Sequence, residues 1–178
     1  NLRTLKLEWI SGIFGIIPPE IGNLNNLETL ILGGLLTLSG KVPPEIGSLS
    51  NLEYLGLHHL YNLDGGIPPE IGQLTNLKSL SGYYVYLNEE IPVEIGNLSS
   101  LTGLSLIGMG LTGEIPVEIG QLTNLTNLSL WDNQLSGEVP DNICNIMYID
   151  LSYNHLCPPY PSCTSQHDIN SQDTSNCP

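Results

Sequence analysis

Hydrophobic residues recur along the chain with a period of 24 or 25 residues. Each period contains an Ile-Pro or Val-Pro pair, an Ile three residues after the proline, and a Leu or Ile three residues beyond that. A pattern of this regularity predicts a solenoid, in which each unit stacks on the next and shares one core with it. The six pairs begin at Ile17, Val42, Ile67, Ile91, Ile115 and Val139.

Each unit combines a strand pattern with turn residues. An L-x-L stretch, as at Leu55 and Leu57, has the period of two that is expected when alternate strand residues are buried. A recurring glycine, as at Gly40 and Gly113, suits a turn that needs positive φ. Pro-Pro-Glu suits the opening of a short helical turn. The sequence therefore predicts stacked strands about 4.8 Å apart.

The repeat resembles the plant-type leucine-rich repeat, L-x-x-L-x-L-x-x-N-x-L-x-G-x-I-P-x-x-I-G-x-L-x-x, which residues 125–144 match at almost every position. The resemblance covers about residues 2–156. It implies an α/β solenoid of about seven repeats, with a parallel β-sheet on the concave face and 3₁₀ or irregular segments on the convex face. Such repeats typically occur in extracellular receptors, inhibitor-like proteins and surface proteins.

Two features depart from this family pattern. The family places Asn after the strand, but only Asn133 and Asn154 fit that column. Gly82 replaces a strand Leu and Glu89 replaces the turn Gly, so we expect the unit at residues 77–100 to be distorted. We also expect the N-terminal half to pack less regularly, with the apolar residues of the Asn column buried under an altered turn; they are Ile10, Leu35, Leu60, Val85 and Met109.

The C-terminal tail differs from the repeats in composition. We expect residues 1–156 to form the solenoid and residues 157–178 to form a cysteine-containing cap over its last core. Of the three possible pairings we favour Cys157–Cys163 with Cys144–Cys177. We favour disulfides over a zinc site because the cysteine spacings match no common zinc pattern. Disulfides place the chain in an oxidising compartment. Three sequons agree with a secreted glycoprotein: Asn97, Asn124 and Asn127.

The N-terminal end carries no comparable cap. The chain begins at Asn1 without a signal peptide, which suggests a processed or truncated chain, and Leu2 is already a core position. An open leucine edge favours association, so either more chain once preceded it or a partner covers it. Self-association through this end is therefore a second hypothesis.

Charge and hydropathy exclude several classes of partner. Four Lys and Arg residues against eighteen Asp and Glu residues give a formal net charge of −14. An acidic chain lacks the basic residues that nucleic acid and anionic membrane surfaces require. No apolar run approaches the roughly 20 residues of a membrane span. We expect no nucleic-acid partner and no membrane insertion within this chain.

The outward strand positions of the predicted concave face are rich in aromatic residues. Both tryptophans and five of the eight tyrosines fall there. Such side chains suit recognition of a protein, peptide or glycan, although aromatic residues also favour strands for their own sake. Two gaps interrupt the stripe, at Gly33-Gly34 and from Gly103 to Gly108, and these form either shallow recesses or inert gaps. The expected contact residues are Trp9, Tyr54, His58, His59, Tyr83, Tyr84, Trp131, Asp132, Tyr148 and Tyr153.

A column of glutamates follows the Pro-Pro or Pro-Val pairs, at Glu20, Glu45, Glu70, Glu94 and Glu118. We expect each carboxylate to lie over the amides of its own turn rather than to bind calcium, because no D-x-D-x-D-G run is present. The sequence also lacks G-x-S-x-G and H-E-x-x-H motifs. We expect no cofactor, no metal and no enzymatic activity.

These observations favour an extracellular interaction module, secreted or at the cell surface, with a rigid concave aromatic face. The alternative is a structural protein that assembles into a coat, filament or adhesive layer. A low charged fraction of 12% makes that alternative credible.

Overall fold

The computed structural model describes residues 1–177, and its strands stack in the order of the chain. One parallel sheet contains seven strands. Equivalent repeat positions lie side by side, so that Leu30 pairs with Leu55 and Leu55 with Leu80. The seven strands are β1 (Thr4–Glu8), β3 (Thr29–Gly33), β5 (Tyr54–His58), β7 (Ser79–Tyr83), β8 (Gly103–Ile107), β9 (Asn127–Ser129) and β11 (Tyr148–Asp150).

Shorter elements complete each unit in residues 1–177. A three-stranded parallel sheet contains β2 (Phe14–Ile16), β4 (Thr37–Gly40) and β6 (Asn62–Leu63). A two-stranded parallel sheet contains β10 (Ser136–Glu138) and β12 (His155–Cys157). The 3₁₀ turns are Pro19–Asn23, Pro44–Ser48, Pro69–Gln73, Val93–Asn97, Val117–Gln121 and Asp141–Asn145, and one α-helix, α1, spans Gln166–Asn170. None of these helices is long and apolar enough to cross a membrane.

A continuous leucine and isoleucine core runs between the seven-stranded sheet and the 3₁₀ turns. Leu30, Leu55 and Leu80 of neighbouring strands are all buried. The Ile-Gly pair of the first five 3₁₀ turns has a packing reason. A Cβ atom on Gly47, for example, would lie 2.9 Å from Glu70 Cβ, so glycine allows the next turn to approach closely. The family resemblance therefore predicted the architecture correctly.

The apolar column that replaces the family Asn is buried over most of its length. Leu35, Leu60, Val85 and Met109 are at most 1% exposed, which confirms the prediction for these four residues. The prediction is wrong for Ile10, which is 43% exposed, because within residues 1–177 no unit stacks on the outer side of the first one.

The first three units pack as regularly as the later ones, so the expectation of a less regular N-terminal half is wrong. In these units β2, β4 and β6 form a parallel ladder of their own. The altered turn satisfies its backbone groups locally, since the Leu38 amide donates to the Leu35 carbonyl at 3.0 Å.

Distortion in the fourth unit is confined to its turn. The strand β7 keeps full register with both neighbours, and Gly82 lies between Leu57 and Leu106. In the turn, Asn88 adopts a left-handed φ of 54°, and Glu90 forms only an isolated bridge to Thr112.

The cysteines pair differently from the prediction. Cys144 bonds to Cys163 and Cys157 bonds to Cys177, so the favoured Cys157–Cys163 and Cys144–Cys177 pairs are wrong. The proline-rich segment after β12 carries Cys163 back to the last 3₁₀ turn. The helix α1 then returns the chain to β12, where the Leu156 amide donates to the side chain of Gln172 at 3.1 Å.

Candidate functional site

The concave face consists of the outward side chains of the seven-stranded sheet, and the parallel register arranges them in columns. The first column is Thr4, Thr29, Tyr54, Ser79, Gly103, Asn127 and Tyr148. The second is Lys6, Ile31, Gly56, Ser81, Ser105, Ser129 and Asp150. The third is Glu8, Gly33, His58, Tyr83 and Ile107, with Trp131 at the matching repeat position.

A fourth column follows the strands, and all seven of its residues have left-handed φ angles between 53° and 61°. Each of the first six donates its amide to the unit that follows; the Trp9 amide, for example, reaches the Gly33 carbonyl at 2.9 Å. The sequence analysis missed this conformation, although two glycines in the column were a signal. The column is Trp9, Gly34, His59, Tyr84, Gly108, Asp132 and Tyr153.

Three rings of the fourth column form a stack that we term the aromatic ladder: Trp9, His59 and Tyr84. The Trp9 and His59 ring centroids are 5.4 Å apart, and those of His59 and Tyr84 are 5.5 Å apart with the rings 27° from parallel. Trp9 is 67% exposed. These distances fall in the range of favourable aromatic pairs, so the ladder is a preorganised surface.

The two glycines of the fourth column lie against aromatic rings. A Cβ atom on Gly34 would lie 2.9 Å from Trp9 Cζ3, and one on Gly108 would lie 2.7 Å from Tyr84 Cδ1. A ring therefore lies over each of these two glycines. Gly33 and Gly34 also line the groove described below, in agreement with the shallow recess expected there. Trp9 and Tyr84 thus pack flat on a glycine of the next unit, whereas His59 stacks on Tyr84.

Two tyrosines that the sequence analysis did not select extend the ladder sideways. His59 Nδ1 lies 2.9 Å from the Tyr61 hydroxyl, and the Tyr61 and Tyr86 ring centroids are 6.0 Å apart. Both tyrosines belong to the turns after the strands, where the concave-face pattern no longer applies. Together with the ladder they form a five-ring surface.

His58 belongs to a separate, half-buried cluster on the third column. Its Nε2 atom lies 3.0 Å from the Ser81 hydroxyl, which is also 3.0 Å from the Tyr54 hydroxyl. The His58 and Tyr83 ring centroids are 5.0 Å apart. Burial lowers the pKa of His58 below its usual 6.5; the Glu8 carboxylate opposes this effect and His59 adds to it.

A groove of about 410 Å³ lies between the third and fourth columns of the N-terminal units. Its walls include His58 and Tyr83 on one side and the aromatic ladder on the other, and Glu8 contributes a carboxylate. The groove therefore combines aromatic surface with negative charge.

The remaining predicted contact residues lie at the C-terminal end. The Trp131 and Tyr153 rings meet edge to face at 5.8 Å, and Tyr153 continues to His167 of α1 at 6.3 Å. Asp132 is exposed beside Gly108. The structure therefore divides the predicted stripe into an N-terminal ladder and a smaller C-terminal cluster.

The sequons occupy exposed positions. Asn97 ends a 3₁₀ turn, and the Asn124 side chain donates to the Ser99 carbonyl at 2.9 Å. Asn127 stands on the first column of the concave face. Within the described range of 1–177, no three His, Cys, Asp or Glu side chains are grouped so that they could hold a metal ion.

Comparisons with known proteins show the family. A profile described as "Leucine-rich repeat region" matches residues 1–107, and one described as "Leucine Rich Repeat" matches residues 124–146. No match was found among curated proteins.

Solved structures with this fold have different functions. The plant peptide hormone receptor RGFR1, in complex with RGF2, has a TM-score of 0.78 and 32% identity over 88% of this chain and 25% of that one. The ectodomain of the Arabidopsis thaliana receptor kinase GASSHO1/SCHENGEN3, in complex with CASPARIAN STRIP INTEGRITY FACTOR 2, has a TM-score of 0.76 and 37% identity over 88% and 19%. A plant ice-binding protein has a TM-score of 0.74 and 33% identity over 85% and 49%. The chain thus spans less than half of each of these proteins.

Proposed function

Because this chain belongs to the leucine-rich repeat family, we propose that it is an extracellular recognition module whose concave face binds a basic peptide or an extended basic segment of a protein. The single observation that carries the proposal is the aromatic ladder beside an acidic groove. Fold similarity alone does not define a ligand, since the same solenoid serves peptide receptors and an ice-binding protein.

The geometry of the ladder favours a peptide ligand. Its rings are fixed by the strands and by one another, so binding costs little side-chain entropy. Exposed Trp and Tyr side chains commonly contribute most of the binding free energy at interfaces. The groove beside the ladder supplies a shallow track along several units, which suits an extended segment.

Charge favours a basic ligand. The chain carries a net charge of −14, and two of its four cationic residues are engaged in ion pairs, Arg3 with Glu28 at 2.7 Å and Lys78 with Glu53 at 2.8 Å. A negative field speeds the association of a cationic partner. Lys or Arg side chains also stack favourably on Trp and Tyr rings.

The structural neighbours and the disulfides support this function. RGFR1 is a peptide hormone receptor that was solved in complex with RGF2, and GASSHO1/SCHENGEN3 was solved in complex with CASPARIAN STRIP INTEGRITY FACTOR 2. The two disulfides are typical of proteins from oxidising compartments, and we propose that Asn97 and Asn124 carry glycans, because both are exposed and lie away from the aromatic ladder.

The test is selection of displayed random peptides against the disulfide-bonded chain at low ionic strength, followed by calorimetric titration of the selected peptides. We expect basic peptides whose affinity falls with salt. Tyr84→Ala should weaken binding about 10-fold or more. Phe14→Ala is the matched control, because Phe14 is an exposed aromatic residue outside the concave face.

Peptides without basic residues, or affinities unaffected by Tyr84→Ala, would contradict the proposal. Light scattering on the same samples tests the self-assembly alternative. A constant mass near 19.3 kDa at all concentrations supports a monomeric module, whereas a mass that rises with concentration supports assembly.

A further inference from the structure

A second cavity lies on the concave face, away from the aromatic ladder. It occupies about 620 Å³ over the first and second columns of β7, β8, β9 and β11. This volume falls within the range of small-molecule sites in proteins, which is about 300–1,000 Å³. We refer to it as the hydroxyl cup, because of the residues described next.

The floor of the hydroxyl cup carries short polar side chains. Five of its outward positions over β7, β8 and β9 are Ser or Asn, and the sixth is Gly103. Each Ser hydroxyl can donate one hydrogen bond and accept others. The Ser81 hydroxyl is buried and already contacts Tyr54 and His58, so the other three serines and Asn127 are the groups available to a ligand. The polar floor residues are Ser79, Ser81, Ser105, Asn127 and Ser129.

Tyrosines form the walls of the cup. Tyr54 and Tyr83 stand at its N-terminal side and Tyr148, which is 62% exposed, stands at its C-terminal side beside Met147. Tyr54 and Tyr148 belong to the same column and are four strand steps apart, which corresponds to about 19 Å. The Tyr54 ring is fixed by the 3.0 Å contact of its hydroxyl with Ser81.

Charge is almost absent from the lining. Among the residues that line the cup, Asp150 alone is charged, and one of its carboxylate oxygens already accepts a hydrogen bond from the Ser152 amide at 3.1 Å. A ligand with a phosphate, sulfate or carboxylate group would find no cation there. A ligand with several basic groups would find one carboxylate.

From this lining we infer that the hydroxyl cup is a binding site for a neutral oligosaccharide of a few sugar units. Hydroxyl and amide groups on the floor match the mixed donors and acceptors of a polyol, whereas tyrosine faces cover the apolar C–H faces of sugar rings. The outward floor positions are all Ser, Asn or Gly, and apolar lining residues such as Ile146 and Met147 lie at the C-terminal side of the cup. The cup shares Tyr83 with the groove but contains none of the three ladder rings, so the two sites are distinguished by variants at Tyr148 and Tyr84.

The experiment uses the full disulfide-bonded chain, produced in a bacterial host so that Asn127 carries no glycan. The probes are cellotetraose, laminaritetraose and mannotetraose, titrated to millimolar concentration while the tyrosine ring resonances are followed by NMR. We expect at least one probe to shift the rings of Tyr83 and Tyr148 in a saturable manner.

Two variants test the location. Tyr148→Ala removes a wall and should weaken binding about 10-fold, and Ser105→Leu fills the cup and should abolish binding. Phe14→Ala, which removes an exposed aromatic ring outside the concave face, is the matched control and should leave sugar affinity unchanged. Thermal unfolding of each variant confirms that it is folded.

Absence of saturable shifts with all three tetrasaccharides would overturn the inference. Sugar binding that survives Ser105→Leu would also overturn it. So would a selected basic peptide that displaces the sugar and loses affinity in Tyr148→Ala but not in Tyr84→Ala, because the cup would then be a peptide site. Loss of peptide binding in Tyr84→Ala with sugar binding retained would support both sites separately.

Discussion

The indole of Trp9 lies directly over Gly34, in the neighbouring unit of the solenoid, where a Cβ atom would come 2.9 Å from Cζ3 of the ring. Gly34 has a φ of +61°, which L-amino acids with side chains adopt at some cost. Tyr84 and Gly108 repeat the same arrangement farther along the rod. The glycines in this column are therefore part of the aromatic surface, because each holds a ring flat against the backbone.

Gly34→Ala should destabilise the protein and displace the indole. The alanine must adopt a left-handed φ, at a cost of roughly 1–2 kcal/mol, and its methyl group collides with Trp9. Chemical denaturation measures the first effect and tryptophan fluorescence the second. Gly33→Ala is the control, since its nearest neighbour is 3.5 Å away and should tolerate a methyl group. Equal free energies of unfolding for the two variants would contradict the proposed packing of Trp9 on Gly34.

The period of 24 or 25 residues was sufficient to predict the sheet, the core and the outward columns. It fixes which residue of one unit lies beside which residue of the next, so the burial of Leu60 followed from position alone. The left-handed column was not predicted, because residues as different as Trp9 and Asp132 adopt the same backbone conformation there. The disulfides were mispaired because the tail leaves the repeat, and its path depends on α1.

Met109→Ala should destabilise the core by about 2–5 kcal/mol. The Met109 side chain fills the space that Gly82 leaves in the leucine column, where its Cε atom lies 2.8 Å from the position of an added Cβ. A leucine at this position, as in the flanking strands, would compete for the same volume. Gly82→Leu alone should therefore cost about 1–3 kcal/mol through overpacking.

The double variant Gly82→Leu with Met109→Ala separates this explanation from general damage. Its free energy of unfolding should exceed the value expected from simple addition by at least about 1 kcal/mol, since leucine refills the space that methionine vacates. Additive losses in urea denaturation would show that the two residues do not share one site.

Asn133→Ala should cost at least about 3 kcal/mol of stability. The buried Asn133 Oδ1 accepts the amides of Met109 and Leu111, and Nδ2 donates to the carbonyls of Leu106 and Leu130. Truncation leaves buried backbone groups without partners. The exposed Asn142 makes one bond, to the Val117 carbonyl, so Asn142→Ala should cost no more than about 1 kcal/mol. Urea denaturation measures both values, and similar losses of unfolding free energy in Asn133→Ala and Asn142→Ala would contradict the prediction.

Stability should fall as the pH is lowered below about 6.5. Burial lowers the pKa of folded His58 below the unfolded value of 6.5, so the unfolded chain binds more protons in this range. The contribution is complete above that range and is lost as the pH decreases through it. Asp173 acts in a different window: hydrogen bonds from Ser175 lower its pKa below 3.8, so its contribution is lost only in stronger acid.

Thermal unfolding between pH 5 and 7.5 isolates the histidine effect. His58→Gln should flatten the pH profile, because glutamine does not titrate and retains a polar group near Ser81. His167→Gln, at an exposed position of α1, is the control and should retain the slope. An unchanged slope in His58→Gln would assign the pH dependence to other groups.

Loss of either disulfide should destabilise the C-terminal cap by about 3 kcal/mol, the entropy expected for closed loops of this size. Cys144 and Cys163 are 19 residues apart, and Cys157 and Cys177 are 20 apart. Paired serine replacements measure each loss by denaturation. The connectivity is checked by mass spectrometry of non-reduced peptides, in which a Cys157–Cys163 product would contradict the fold of the cap.

Removal of the Cys157–Cys177 bond should loosen the last strand region most. The segment that ends at Cys177 holds this region, because the Leu156 amide donates to Gln172 and the Leu151 amide donates to Asp168. Amide exchange at Leu151 and Leu156 should therefore accelerate in that variant before exchange in β3 or β5 does.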